Sequence, residues 1–334
     1  MFQAMIATLQ SFPSSTEKSF QPRSRGRELD VNEFGYLADS STLVDQPRFL
    51  RKKLEDDGYL FLRGFFKRKD VLEARKVVTD RLMKGGFLDE DYPPEEAMVK
   101  NIKIANAHSA FRPTGDADSL KMYNPDDLTR DNQPLLDLIY KGKLKHFYES
   151  FFGKPVLHYN YTWFRAVSPG MGTPPHCDMV YMGRGTPNLL TTWVPLGDTP
   201  LQVGGLMILE NSHKQADRLR KYLSRDVDEY CVNGANAEKL ESGEMLHEWN
   251  GHLAKDPVSL REKLGGRWLT AEFQAGDILI FTMRTVHASL DNQSKRIRLS
   301  TDLRYQPADE PMDERYAVEN PVPYAPDFKK GRIC

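Results

Sequence analysis

The chain has 334 residues and a formal net charge of -1. That length holds one large domain or two modest ones with ample core, and a near-neutral chain gives no electrostatic reason for a nucleic-acid partner. Three cysteines, an odd count with no CxxC pair, argue against a disulfide framework or zinc knuckle and suit a reducing, cytoplasmic compartment. No run reaches the apolar length of a membrane span, and Met1 to Leu9 lacks the basic leader of a signal peptide.

Residues 10–27 are rich in Ser, Pro, Arg and Lys, so 1–28 reads as a flexible N-terminal arm. Order is expected from Leu29. Phe49 to Leu54 predicts a helix closed by Asp57-Gly58, Tyr59 to Arg63 a strand, and Arg68 to Lys84 a second helix with Val71, Leu72, Ala74, Val77, Val78 and Leu82 near helical spacing. The text from Asp89 to Asp127 is polar and irregular. Leu135 to Phe151 predicts a third helix, stopped by Gly153 and Pro155.

At Val156 the pattern changes to short β-rich runs: 156–167, then 188–195, 205–209, 276–281 leading to His287, and 296–305. Residues 215–266 are charged and helix-prone, an insertion between strands and a candidate lid. The Pro-rich tail, 307–334, is expected to lie extended over the surface. Helices first and strands after predict a mainly β domain with flanking helices (α+β), its core a closed or double-sheet jelly roll. The expected catalytic domain is 29–306, helical over 29–155 and β over 156–306.

The stretch Pro174-Pro175-His176-Cys177-Asp178 carries the chemistry. In a strand, residues two apart share a face, so His176 and Asp178 would present two donors together. With a distant histidine they would complete a 2-His-1-carboxylate set, which binds Fe(II) and leaves positions open. His287 follows a Gly276-Asp277 turn and strand and precedes the small Ala288-Ser289; His158, also on a strand, is its main competitor. His213, His247 and His252 fall in polar turns or the insertion and read as surface histidines. An HxD alone occurs often by chance; the weight lies in the order HxD, roughly a hundred residues, histidine, then arginine. That arginine, Arg298, lies eleven residues beyond His287, and its planar fork suits a dicarboxylic cosubstrate. It shares strand parity with Ser300 and Asp302, while the adjacent Arg296 reads as a surface ion-pair partner. Met179, Tyr181 and Arg184 are candidates for the mouth of the site.

Gly58-Tyr59-Leu60-Phe61-Leu62-Arg63-Gly64-Phe65-Phe66, His176-x-Asp178, Gly276-Asp277 before His287, and Arg298 together resemble the phytanoyl-CoA dioxygenase family over about residues 31–305. The resemblance implies an Fe(II)- and 2-oxoglutarate-dependent oxygenase on a double-stranded β-helix. It implies His176, Asp178 and His287 as iron ligands and Arg298 as the 2-oxoglutarate anchor. Ser289, Trp193 and Lys121 are suggested as further cosubstrate contacts, although Trp193 equally suits the core and Lys121 the surface. O2 would be the oxidant, ascorbate a supporting reductant, and succinate and CO2 the products. Related halogenases have a small residue in place of the carboxylate, so Asp178 favours hydroxylation of a small-molecule C–H bond. The alternatives are a non-catalytic cupin-like binding protein and a metal enzyme using the same ligands without 2-oxoglutarate. The family's diversity leaves the substrate open, CoA-linked or not.

Overall fold

In a computed structural model of the protein, residues 20–100, 128–129, 131–159, 162–230, 236, 238–239, 242 and 249–316 are described. Helix α1 (Pro47–Asp57) buries Leu50 and Leu54, one turn apart, and ends at Gly58. Gly58 has φ 79°, and a Cβ there would run into the His213 ring, so the stop needs glycine for both reasons. Strand β4 (Tyr59–Leu62) follows, then α2 (Arg68–Lys84), which spans the residues its periodicity predicts and buries Val71, Ala74, Val78 and Leu82.

The third predicted helix is two. Helix α3 (Gln133–Tyr140) and α4 (Gly142–Phe152) part at Lys141, which is extended, and Gly142, at φ 56°. The break lets each segment aim its own apolar face: Leu135, Leu138 and Ile139 in one, Leu144, Phe147, Tyr148 and Phe151 in the other. Asn132 caps α3 by accepting from the Leu135 N–H at 3.1 Å, and its amide donates to the Ala74 carbonyl of α2 at 2.9 Å.

The strands form two facing sheets, giving a mixed helix and sheet architecture. The larger has the order β4–β10 (Ile278–Thr282)–β7 (Leu190–Pro195)–β12 (Arg298–Pro307)–β5 (Val156–His158), and β6 (Trp163–Val167) also pairs with β12. The smaller has the order β11 (His287–Ser289)–β8 (Leu206–Leu209)–β9 (Trp268–Thr270)–β3 (Phe34–Tyr36). The single strand expected over 156–167 is therefore two short strands sharing one edge of β12, β6 against 298–302 and β5 against 305–307. Between them the Tyr159 N–H still donates to the Arg304 carbonyl at 3.1 Å, and its ring stacks on Tyr316 at 4.7 Å.

Alternation along β12 decides what lies on each side. Leu299, Leu303 and Tyr305 join the apolar layer under α1 to α4. Arg298, Ser300, Asp302 and Arg304 take the opposite parity and lie between the sheets, all buried. The register sets Trp163 opposite Asp302 and Arg165 opposite Ser300, so these β6 side chains share the inner face. The remaining inter-sheet space is apolar, filled by Tyr59, Phe61, Trp193, Leu279 and Phe281 against Leu206, Ile208, Leu269 and Phe273.

The outer face of the smaller sheet is covered by the described ends of the 215–266 insertion. Leu219, Tyr222, Val227 and Leu260 pack there with Met207, Leu209 and Trp268. Helix α5 (Met179–Met182) precedes β7, and α6 (Arg220–Leu223) and α7 (Pro257–Leu264) belong to the insertion. Among the described residues no helix is long and apolar enough to cross a membrane.

Part of the expected flexible arm is ordered. Residues 20–28 include a hairpin, β1 (Arg23–Ser24) and β2 (Arg27–Glu28), turned by Arg25 and Gly26, both at positive φ. The backbone N–H groups of Arg25, Gly26 and Gly172 donate to the Asp291 carboxylate at 2.7, 2.8 and 2.7 Å. These contacts lie 119 to 266 residues away in the chain, so local composition does not reveal them. Asp291→Ala leaves three donors without their acceptor. It is expected to cost about 2–3 kcal/mol, part of the loss being recovered by water at the exposed turn. Urea denaturation with an unchanged m-value checks this.

Candidate metal and cosubstrate site

His176 and Asp178 do not lie in a regular strand. His176 forms an isolated antiparallel bridge with His287, through N–H···O bonds of 3.0 and 2.9 Å in the two directions. Asp178 is already helical, at φ -67° and ψ -21°, and caps α5. The side chains still meet because the bridge brings the two histidines together and the helical turn swings the carboxylate in beside them. The imidazole ring centroids lie 4.1 Å apart, and Asp178 Oδ1 is 3.6 Å from His287 Nε2. One donor atom from each of His176, Asp178 and His287 lies within 4.8 Å of the others, and all three residues are buried.

The hydrogen bonds settle which atoms face inward. Nδ1 of His176 lies 2.8 Å from the Pro174 carbonyl, and Nδ1 of His287 lies 3.1 Å from the Thr285 carbonyl. Carbonyls only accept, so each Nδ1 carries the proton and each Nε2 keeps a lone pair. Burial lowers the His176 pKa to about 3, with the neighbouring His287 adding to the effect, and burial lowers that of His287 as well. Both rings are neutral at physiological pH. Burial opposes ionisation of Asp178, but the Arg304 guanidinium, aided by the Thr191 hydroxyl, favours the carboxylate, and the carboxyl is held below its usual range.

Arg304 was not evident as a site residue from the sequence. Its Nη2 donates to Asp178 Oδ2 at 2.9 Å, and Thr191 Oγ1 donates to the same oxygen. The parity that joins Arg298, Ser300 and Asp302 reaches Arg304 one step further along β12, which is the signal that would have found it. Arg165 is the second addition: its Nε and Nη2 contact Asp302 Oδ2 at 2.8 and 2.7 Å.

Arg298 is buried, and its Nη1 donates to the Gly204 carbonyl. Burial, reinforced by Arg165, pushes its pKa down to about 10 against the pull of Asp302. Several polar atoms on this inner face are buried without a protein partner: Arg298 Nε, Ser300 Oγ, Asp302 Oδ1, Arg304 Nε and Nη1, and Trp193 Nε1. Such atoms cost free energy unless something completes them, and their concentration beside a two-nitrogen, one-oxygen donor set fits a metal with a polar organic cosubstrate.

Ser289 lies on the inner face of β11 with His287, and its Oγ accepts from the Thr173 N–H at 2.8 Å. Trp193 is fully buried, its ring 4.7 Å from Phe273 in the inter-sheet core. Lys121 and His247 lie outside the described residues. His158 is no ligand here: it stacks on Tyr140 at 4.2 Å, away from the donor set. Arg296 is on the surface with Glu96, at 3.2 Å.

A cavity of about 230 Å³ opens above His176 and Asp178, walled by Trp163, Arg165, Tyr181, Met182, Arg304 and Tyr316. Of the mouth candidates, Tyr181 lines it, Met179 packs into an adjoining apolar cluster, and Arg184 turns outward to Asp226, Asp228 and Glu314. His252, expected as a surface residue, lines the cavity because the insertion folds back: the Leu253 N–H donates to the Pro175 carbonyl at 2.7 Å. Tyr222 ties the insertion to the same segment, accepting from the Cys177 N–H and donating to the Gly251 carbonyl.

A family model described as phytanoyl-CoA dioxygenase (PhyH) matches residues 54–300. A 1-deoxypentalenic acid 11-beta-hydroxylase of Streptomyces arenae is 26% identical over 292 residues, covering 83% of this chain and 87% of the relative. The enzyme so named from Streptomyces exfoliatus is also 26% identical, covering 81% and 84%. Among solved structures, the non-heme alpha ketoglutarate dependent carbocyclase SnoK from nogalamycin biosynthesis shares the fold, with a TM-score of 0.51 at 17% identity over 85% of this chain and 89% of that one.

Proposed function

The chain belongs to the phytanoyl-CoA dioxygenase family, and from that premise we propose that it is an Fe(II)- and 2-oxoglutarate-dependent dioxygenase that hydroxylates a small-molecule C–H bond. The observation that carries this reading is the convergence of His176, Asp178 and His287, with both Nδ1 atoms committed to carbonyls and both Nε2 atoms turned inward. Iron and 2-oxoglutarate bound there would supply the oxidation, in which R–H, O2 and 2-oxoglutarate become R–OH, succinate and CO2.

The chain's own residues divide the remaining work. Arg298 offers a planar cation to the far carboxylate of 2-oxoglutarate. Ser289, Trp193 and Lys121 are our further cosubstrate contacts; in support, Trp193 holds a free indole N–H on the inner face and Ser289 lies two residues from His287. Trp163, Tyr181, Met182 and Tyr316 exclude water from the cavity and receive the substrate. The retained Asp178 carboxylate favours hydroxylation over halogenation. The two facing sheets support a double-stranded β-helix, and we place the enzyme in the reducing cytoplasm with ascorbate as a supporting reductant. The insertion we read as a wall of the substrate cavity.

Purified protein supplied anaerobically with Fe(II), ascorbate and 2-oxoglutarate, then exposed to O2 with fractionated small metabolites, is expected to release succinate in step with a product one oxygen atom heavier. Succinate formation that no fraction raises above the substrate-free rate would count against a hydroxylase. No consumption of 2-oxoglutarate at all would remove the dioxygenase reading.

A further inference from the structure

We infer that Arg304 is a positioning residue, fixing Asp178 so that its carboxylate offers a metal one oxygen only. The inference rests on the metal site assigned above. Asp178 Oδ2 receives two donors, Arg304 Nη2 at 2.9 Å and Thr191 Oγ1, while Oδ1 is the oxygen on the His287 side, 3.6 Å from Nε2. A carboxylate gripped at one oxygen in this way is directed to bind through the other. The distinction matters because a 2-His-1-carboxylate set works by leaving positions open, and a carboxylate binding through both oxygens would occupy one of them.

The two groups that hold Oδ2 come from a single cross-strand pair, Arg304 of β12 opposite Thr191 of β7, so sheet register sets their spacing. Arg304 is itself restrained. Its side chain is 3% exposed, and its Cζ lies 3.9 Å from the centroid of the Trp163 ring, a cation–π contact that fixes the guanidinium plane. Its Nε and Nη1 have no partner, and the residue lines the cavity. The same guanidinium therefore extends from the carboxylate ligand to the space where a ligand oxygen would sit. Lysine could neutralise Asp178 but could not present one donor to the carboxylate and others to the cavity in a fixed plane.

Anaerobic titration of the full-length protein with Co(II) tests this, because cobalt absorption reports both affinity and coordination number. Arg304→Gln is expected to bind Co(II) about ten- to a hundred-fold more weakly, the usual effect of removing the partner of a ligand. Its visible band should lose intensity as Asp178 becomes free to bind through both oxygens, and Arg304→Lys should recover part of the affinity. A purely structural arginine would change the melting temperature and leave the cobalt spectrum of the folded protein alone. If Arg304→Gln does not fold, Thr191→Val removes the other grip on Oδ2 and should show the same spectral change with a few-fold loss. Parent-like affinity and spectrum in a folded Arg304→Gln or Thr191→Val protein would overturn the inference. Parent protein that binds no Co(II), or binds it equally after His176→Ala, would instead bring down the metal site on which it rests.

Discussion

His176→Ala and His287→Ala are each expected to abolish stoichiometric iron binding while the protein stays folded. Either change removes one of three donors, and the loss should exceed the hundred-fold that an outer partner can cost. Folding should survive because the link between the two histidines is made by their backbones, through the paired 3.0 and 2.9 Å bonds, and alanine keeps both. The His176 ring borders the cavity, and the His287 ring packs against Phe281 at 4.5 Å, so its loss lowers the melting temperature somewhat but removes no member of the apolar clusters that hold the sheets and helices together. Metal analysis of the purified variants, alongside circular dichroism melting, separates the two effects. Full iron content in both variants would refute the ligand assignment.

Arg298→Ala is expected to weaken 2-oxoglutarate by roughly thirty-fold to several thousand-fold and to leave iron binding nearly intact. Truncating one partner of a buried charge-assisted pair costs about 2–5 kcal/mol. The protein without cosubstrate should not suffer. Arg298 is a desolvated cation with an unpartnered Nε, so alanine removes a cost as well as a contact, and the melting temperature should hold or rise. A purely structural arginine would give the opposite pattern. Arg298→Lys should recover only part of the affinity, since a point charge cannot form the fork. Arg296→Ala, on the surface beside Glu96, is the control and should match the parent. The measurement is anaerobic titration of the Fe(II) protein with 2-oxoglutarate, read from the metal-to-ligand absorption band. Equal affinities in the parent and Arg298→Ala would remove the anchor assignment.

Much of the local structure was legible in the sequence, because the signals for helices and strands act over a few residues. The apolar spacing in 68–84 marks a helix with those bounds, and Gly58 marks the stop of the helix before it. The HxD, the distal histidine and the following arginine were legible as an ordered set, and Arg298 lies buried on the polar parity that its strand predicts. What neighbouring residues could not reveal is decided by pairing across the chain. Arg304 reaches Asp178 over 126 residues because the β7–β12 register sets it opposite Thr191, and no local pattern encodes that register. The hairpin near the N-terminus is ordered by a carboxylate 266 residues away at Arg25, although its composition alone reads as a loose arm. Breaks at Lys141 and near Tyr159 likewise arise where packing against other elements outweighs the propensity of a continuous helix or strand. Even the face shared by His176 and Asp178 was anticipated for an incomplete reason. Strand alternation suggested it, whereas in the folded chain one bridge to His287 and one helical turn bring the donors together, a geometry only the tertiary structure could specify.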